Sequence, residues 1–121
     1  MQGTNRAFRL WDYRVSHDQL LLRSPKTETI PNNMDIAFVG VEYVDLPTKM
    51  NNPVITSPNI ADLRRAEEAL GRVVKEDELF VIEVDERRHI VVAAAMKMFE
   101  NELPIFETSL ERFDQGPAPL M

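Results

Sequence analysis

The chain has 121 residues, is 44% apolar and 28% charged, and contains no cysteine. That is the size of one domain with one core, and the missing thiols exclude disulfides, thiolate metal sites and cysteine nucleophiles. The formal charge of −6 falls wholly in residues 59–121, which argues against nonspecific nucleic-acid binding and suits either a solvated face or a basic partner. The longest apolar run, residues 90–96, is far short of the roughly 20 residues a membrane helix needs. The N-terminal stretch is polar and has no signal-like apolar core, so a cytoplasmic protein with no membrane partner is expected.

In chain order, residues 8–16 and 19–24 are strand-like, with His17-Asp18 between them as a two-residue turn. That turn pairs Val15 with Leu20, Tyr13 with Leu22 and Trp11 with Ser24 on one face, because side chains alternate along a strand. The opposite face pairs Arg14 with Leu21 and Asp12 with Arg23. Residues 25–33 form a loop marked by Pro25, Pro31 and Asn32-Asn33. Residues 34–46 form one long strand, apolar on both faces, with Gly40 a candidate bulge that switches faces. Residues 48–58 are irregular, with turns at Asn51-Asn52-Pro53 and Ser57-Pro58.

The clearest helix spans residues 59–70. Asn59 caps it, Asp62 complements the helix dipole, and Gly71 supplies a left-handed end. Its apolar stripe is Ile60, Leu63, Ala66 and Leu70, with Arg64, Arg65, Glu67 and Glu68 facing solvent. A second hairpin joins residues 79–84 to 88–98 around Glu86-Arg87, aligning Phe80, Ile82 and Val84 with Ala93, Val91 and His89. A helix over 93–100 is the competing reading, since Ala93-Ala94-Ala95 is weak in a strand. Thr108 to Glu111 fits a capping box for a short C-terminal helix, and residues 115–121 read as a flexible tail.

The possible chemistry is thin. Ser16-His17-Asp18 cannot form a triad in an extended segment, because neighbours point to opposite faces. His17 and His89 sit on different hairpins without a second ligand at metal-site spacing, so no metal and no cofactor is expected. Glu76, Asp77 and Glu78 read as a solvated approach to a strand. Glu83 alternates with Val81 and faces Ile90, a weak ligand candidate or an edge charge. Arg87-Arg88-His89 lacks the interleaved aromatics of a nucleic-acid site, and no glycine-rich phosphate loop exists. Trp11, Tyr13, Phe38 and Tyr43 are either core or the lining of a small-molecule pocket, the latter if the strands curl into a partial barrel. The candidate ligand-binding residues are therefore Trp11, Tyr13, Phe38, Tyr43, Glu83 and His89, with no catalytic residue.

The segments Asp12-Tyr-Arg-Val-Ser-His-Asp-Gln-Leu-Leu-Leu-Arg-Ser-Pro25 and Asp35-Ile-Ala-Phe-Val-Gly-Val-Glu-Tyr-Val-Asp-Leu-Pro47 resemble a group of small uncharacterised bacterial proteins, over residues 8–47. The resemblance implies a bacterial origin and no activity.

The expectation is a single α+β domain over residues 1–121. It comprises a twisted antiparallel sheet of about five strands, built from two hairpins and a long central strand, with one main helix packed on a face. The leading function is a noncatalytic protein-interaction or regulatory protein, self-associating or bound to another protein. The alternatives are a small-molecule binding module using the aromatic strand faces, and an enzyme using carboxylates or His17.

Overall fold

In the computed structural model, which describes residues 5–104 together with Glu107 and Leu110, the chain forms nine strands and one α-helix. They are β1 (Ala7–Arg14), β2 (Gln19–Ser24), β3 (Asn33–Val39), β4 (Tyr43–Val44), β5 (Lys49–Asn51), β6 (Val54–Thr56), α1 (Ile60–Leu70), β7 (Leu79–Val84), β8 (Arg87–Val92) and β9 (Ala95–Asn101). Every pairing is antiparallel. The α+β class with one main helix stands. The single sheet of about five strands does not: the strands fall into a five-stranded sheet, β5-β1-β2-β3-β9, and a four-stranded sheet, β4-β8-β7-β6.

The split arises because three chain segments change sheet partway along. Residues 34–46, read as one strand, break at Gly40, whose φ of +65° is a left-handed conformation natural to glycine. The antiparallel partner turns at the same corner, at Ala93-Ala94. Val39 pairs with Ala95 in one sheet and Tyr43 with Val92 in the other. The Ala94 N–H donates to Val39 O at 2.9 Å and the Glu42 N–H to Val92 O at 2.8 Å, carrying the ribbon around the bend. Residues 48–58, read as irregular, instead supply β5 to one sheet and β6 to the other, turning at Asn52 with φ +47°.

These pairings close a ring. Segment 7–14 pairs with 19–24, that with 33–44, then 87–101, 79–84, 49–56 and back to 7–14. The interior is packed with side chains, as in other small barrels: Phe8, Leu20, Leu22, Ile36, Phe38, Met50, Ile82 and Val91 are all buried. Phe38 and Phe80 meet edge to face, with centroids 5.6 Å apart.

Both outer faces are covered too. Helix α1 lays Ala66, Leu63 and Leu70 over Leu79, Val81, Ile90 and Val92 of the four-stranded sheet. On the five-stranded sheet, Leu21, Ala37 and Phe99 are covered by Trp11 and Leu110. A strand buried on both faces loses the alternation that would reveal its inner side, and β2 is buried along its whole length.

Each hairpin departs from its expected register. Val15–His17 curls into a single 3-10 turn ending at Asp18 with φ +48°, so Tyr13 pairs with Leu20 and Arg14 with Gln19. A bulge at Trp11 then places Leu10 opposite Leu22 and Arg9 opposite Arg23. In the second hairpin Asp85 and Glu86 take the turn, both with positive φ, as a tight two-residue turn requires. Phe80 therefore faces Val91, Ile82 faces His89, and Glu83 faces Arg88 rather than Ile90. The Ala93–Glu100 helix does not form; Ala95–Asn101 is strand β9.

Helix α1 matches its expected ends. The Asn59 side chain accepts from the Asp62 N–H and Asp62 accepts from the Asn59 N–H, both at 2.8 Å, a reciprocal capping box. The Gly71 N–H closes on Glu67 O at φ +67°. One stripe residue is misplaced: Ile60 is 69% exposed, and Asp62 is buried instead. Of the short C-terminal helix only Leu110 is described, helical and buried; the rest of it and the tail 115–121 lie outside the described residues. No helix among the described residues is long and apolar enough to cross a membrane.

Candidate functional site

The four aromatic candidates go to four different environments. Phe38 lies in the barrel core. Tyr43 packs between α1 and its sheet. Trp11, extruded by the bulge, lies on the outer face of the five-stranded sheet, its ring 5.5 Å from the Arg23 guanidinium. Tyr13 is half exposed near the first hairpin tip, its hydroxyl donating to Asp18 at 3.1 Å. Lost solvation, together with that carboxylate, pushes the phenol above its ordinary range. Of the two readings, core or pocket lining, Phe38 and Tyr43 take the first, and the four rings do not converge on one site.

Glu83 and His89 are also separated. Because Glu83 faces Arg88 while Ile82 faces His89, the two point to opposite faces of the hairpin. Glu83 borders a shallow hollow with Asp85, Glu86, Asn51 and Asn52. His89 lines a cleft of about 370 Å³ with Asp45, Arg65, Arg87 and Arg88.

That cleft is mostly a clamp holding α1 to the sheet. The Arg88 guanidinium contacts the buried Asp62 carboxylate at 2.7 and 3.2 Å and Ser57 O at 3.0 Å. Arg65 spans Asp45 at 3.1 Å and Arg88 O at 2.8 Å, and His89 Nδ1 lies 3.7 Å from Asp45. Burial alone would raise the Asp62 carboxyl. The Arg88 hydrogen bonds, the Asn59 N–H and the Arg88 and Arg65 charges outweigh it and hold the group below its ordinary 3.8.

A depressed native pKa means the unfolded chain takes up the proton first as pH falls. The stabilisation is therefore whole above pH 3.8 and is lost as pH drops through the lower, native value. Asp62→Asn is expected to cost about 1–3 kcal/mol near neutral pH and to flatten the acid limb of the stability profile. Urea melts between neutral pH and pH 2 compare the two proteins.

A different surface lies at the tip end of the first hairpin. The Asp18 carbonyl accepts from the Val41 N–H at 3.0 Å, bringing the hairpin tip against the Gly40 corner. Glu42, at that corner, is ion-paired to Arg72, and Arg72 donates to Val73 O at 2.7 Å and approaches Glu78 at 3.3 Å. The hairpin tip, the corner and the loop after α1 thus share one end of the barrel. The carboxylates Asp18, Glu42, Glu76, Asp77 and Glu78 gather there against Arg72 and Lys75. Glu78 is held below the usual carboxylate range, first by the Lys75 N–H and then by Arg72. Two large apolar side chains stand out among these charges: Val15 at 79% exposure and Val73 at 78%.

Sequence reasoning placed the acidity in the second half of the chain but not at this end. Asp18 and Glu42 come from the first half, and only the sheet-to-sheet corner joins them to residues 72–78. The architecture is that of an α+β protein built on a filled antiparallel ring with covered outer faces. No protein-family model, no curated protein and no solved structure matches the chain.

Proposed function

We propose that this is a noncatalytic interaction protein that docks a basic protein partner on the acidic, valine-bearing end of its barrel. The observation that carries the reading is the exposure of Val15 and Val73 amid Asp18, Glu42, Glu76 and Asp77. Charges that steer a cationic partner and apolar groups that gain from its arrival are the two ingredients of a docking patch. The filled barrel interior favours surface recognition over enclosure of a ligand. The clefts at His89 and Glu83 are shallow, and the guanidiniums of Arg65 and Arg88 are engaged in holding α1 to its sheet.

Native mass spectrometry of the protein purified gently from its own host tests this. A basic partner should be retained at low salt and released as salt rises. The double variant Val15→Asp, Val73→Asp should lose it while melting at the same temperature, since both side chains are exposed. Retention by the variant, an acidic partner, or a bare monomer at low salt would overturn the proposal. Excess mass equal to a second copy, itself an acidic chain, would likewise overturn it in favour of self-association.

A further inference from the structure

The loop after α1 turns at Gly71 and brings Arg72 to the acidic end of the barrel. There its guanidinium is held by two carboxylates from separate parts of the chain. Nε donates to Glu42 Oε2 at 3.3 Å and Nη2 to Glu42 Oε1. Nη1 and Nη2 donate to the two oxygens of Glu78, each at 3.3 Å. Nη1 also donates to Val73 O at 2.7 Å. Two carboxylate forks and a carbonyl thus take up the whole donor set of one guanidinium. We propose that Arg72 is a built-in competitor for an arginine of the docked partner, which exchanges with it between Glu42 and Glu78. The inference rests on the docking reading and names the side chain that this end recognises.

Position and energetics make the case. Arg72 precedes Val73, one of the two exposed valines that the partner would cover. The three charged side chains remain open to solvent, Arg72 at 36%, Glu42 at 49% and Glu78 at 28%. Exposed ion pairs contribute little net stability, and contacts of 3.3 Å are at the long end of hydrogen bonding. Arg72 can therefore swing out at small cost. A partner that shields this end from water strengthens whichever guanidinium then lies between the carboxylates. The neighbouring acids are open to the partner from the start. Asp18 accepts from the neutral Tyr13 hydroxyl, and Glu76 and Asp77 form no ion pair among the described residues. They draw a cationic partner in, while Arg72 occupies the remaining pair.

Arginine is the cation that the geometry selects. Glu42 and Glu78 each present both oxygens to a planar fork, which the point charge of an ammonium does not match. Competition of this kind scales the apparent affinity by the fraction of molecules in which Arg72 has swung away. Replacing Arg72 should therefore tighten the binding of an arginine-bearing ligand, and do less for a lysine-bearing one. A purely structural Arg72, pinning the loop to the corner, would instead give a lower melting temperature and no gain in binding.

Calorimetric titration at low salt with acetylated tetra-arginine amide, and with the matching tetra-lysine peptide as control, tests the proposal. Arg72→Gln should tighten tetra-arginine binding by about three- to tenfold and tetra-lysine binding by less, with amide resonance shifts at Glu42 and Glu78. Arg64→Gln on the exposed helix face removes the same charge elsewhere and should change neither affinity. The double variant Glu42→Gln, Glu78→Gln approaches the claim from the other side and should bind the two peptides equally. Arginine binding that Arg72→Gln leaves unchanged or weakens, an equal gain for both peptides, or a gain reproduced by Arg64→Gln would overturn the exchange and leave the docking reading standing. No saturable binding of tetra-arginine by Arg72→Gln would overturn it too. The docking reading fails separately, when native mass spectrometry at low salt retains no basic partner.

Discussion

Replacing Asp35 with alanine is expected to cost about 3–5 kcal/mol, more than any other polar substitution among the described residues. Asp35 and Arg23 both have fully buried side chains and meet through two contacts, Nε to Oδ1 at 2.6 Å and Nη2 to Oδ2 at 2.9 Å. They are directly opposite on β2 and β3, with the Trp11 ring 5.5 Å from the guanidinium. Asn101 donates to Asp35 at 3.1 Å, and Asn33 donates to Asn101 and to Leu103 O, each at 2.9 Å. The pair thus anchors a polar network that ties the end of β9 to β3. Removing the carboxylate leaves a guanidinium in the interior with the Trp11 face as its main remaining partner. A cation–π contact is worth about 0.5–2 kcal/mol, too little to offset the lost ion pair. Arg23 Nη1 already lacks a hydrogen-bond partner, so the site has no slack. The combined variant Arg23→Met, Asp35→Leu should recover most of the loss, because an apolar pair of similar volume avoids the desolvation that the charged pair must overcome. Chemical denaturation of both single variants and the double variant measures the coupling. A double variant no more stable than Asp35→Ala would mean that the network, and not the buried charge, sets the cost.

How much of this could be read from the chain depended on whether the governing interaction was local. Helix α1 was legible at both ends because Asn59, Asp62 and Gly71 act within a few residues of one another. The second hairpin's faces survived a misplaced turn, since moving the register by two residues returns every side chain to its own side. Trp11 did not survive, because a bulge adds one residue and sends it to the opposite face. The apolar run 34–46 announced burial on both sides but not its cause, two sheets joined at a corner. Asp62 with Arg88, and Arg9 with Lys49, are far apart in sequence and meet only through strand order. Strand β5 was hidden for the same reason: the segment holding Lys49 looked irregular until β1 gave it a partner.

The corner itself is open to a direct test. Gly40→Ala is expected to cost about 2–4 kcal/mol, from a left-handed backbone that disfavours a side chain and from a close approach. A Cβ at position 40 would lie 2.9 Å from the Ala94 Cβ, too near for either atom to stay in place. Ala94 cannot simply withdraw, because its N–H donates to Val39 O across the bend. Relief must come from moving one limb of the ribbon, which would loosen the pairing of Val39 with Ala95 or of Tyr43 with Val92. Gly71→Ala separates the two contributions. Gly71 has nearly the same φ but nothing within 4 Å of an added Cβ, so it should lose only the backbone part, about 1–2 kcal/mol. The difference between the two variants in thermal or urea melts isolates the steric price of the corner. Equal losses would show that the two limbs can part there without cost, and that the ring of strands tolerates an opening where its two sheets meet. A larger loss at Gly40, with hydrogen exchange quickened in β4 and β9 together, would show the two sheets to be one cooperative unit closed at that glycine.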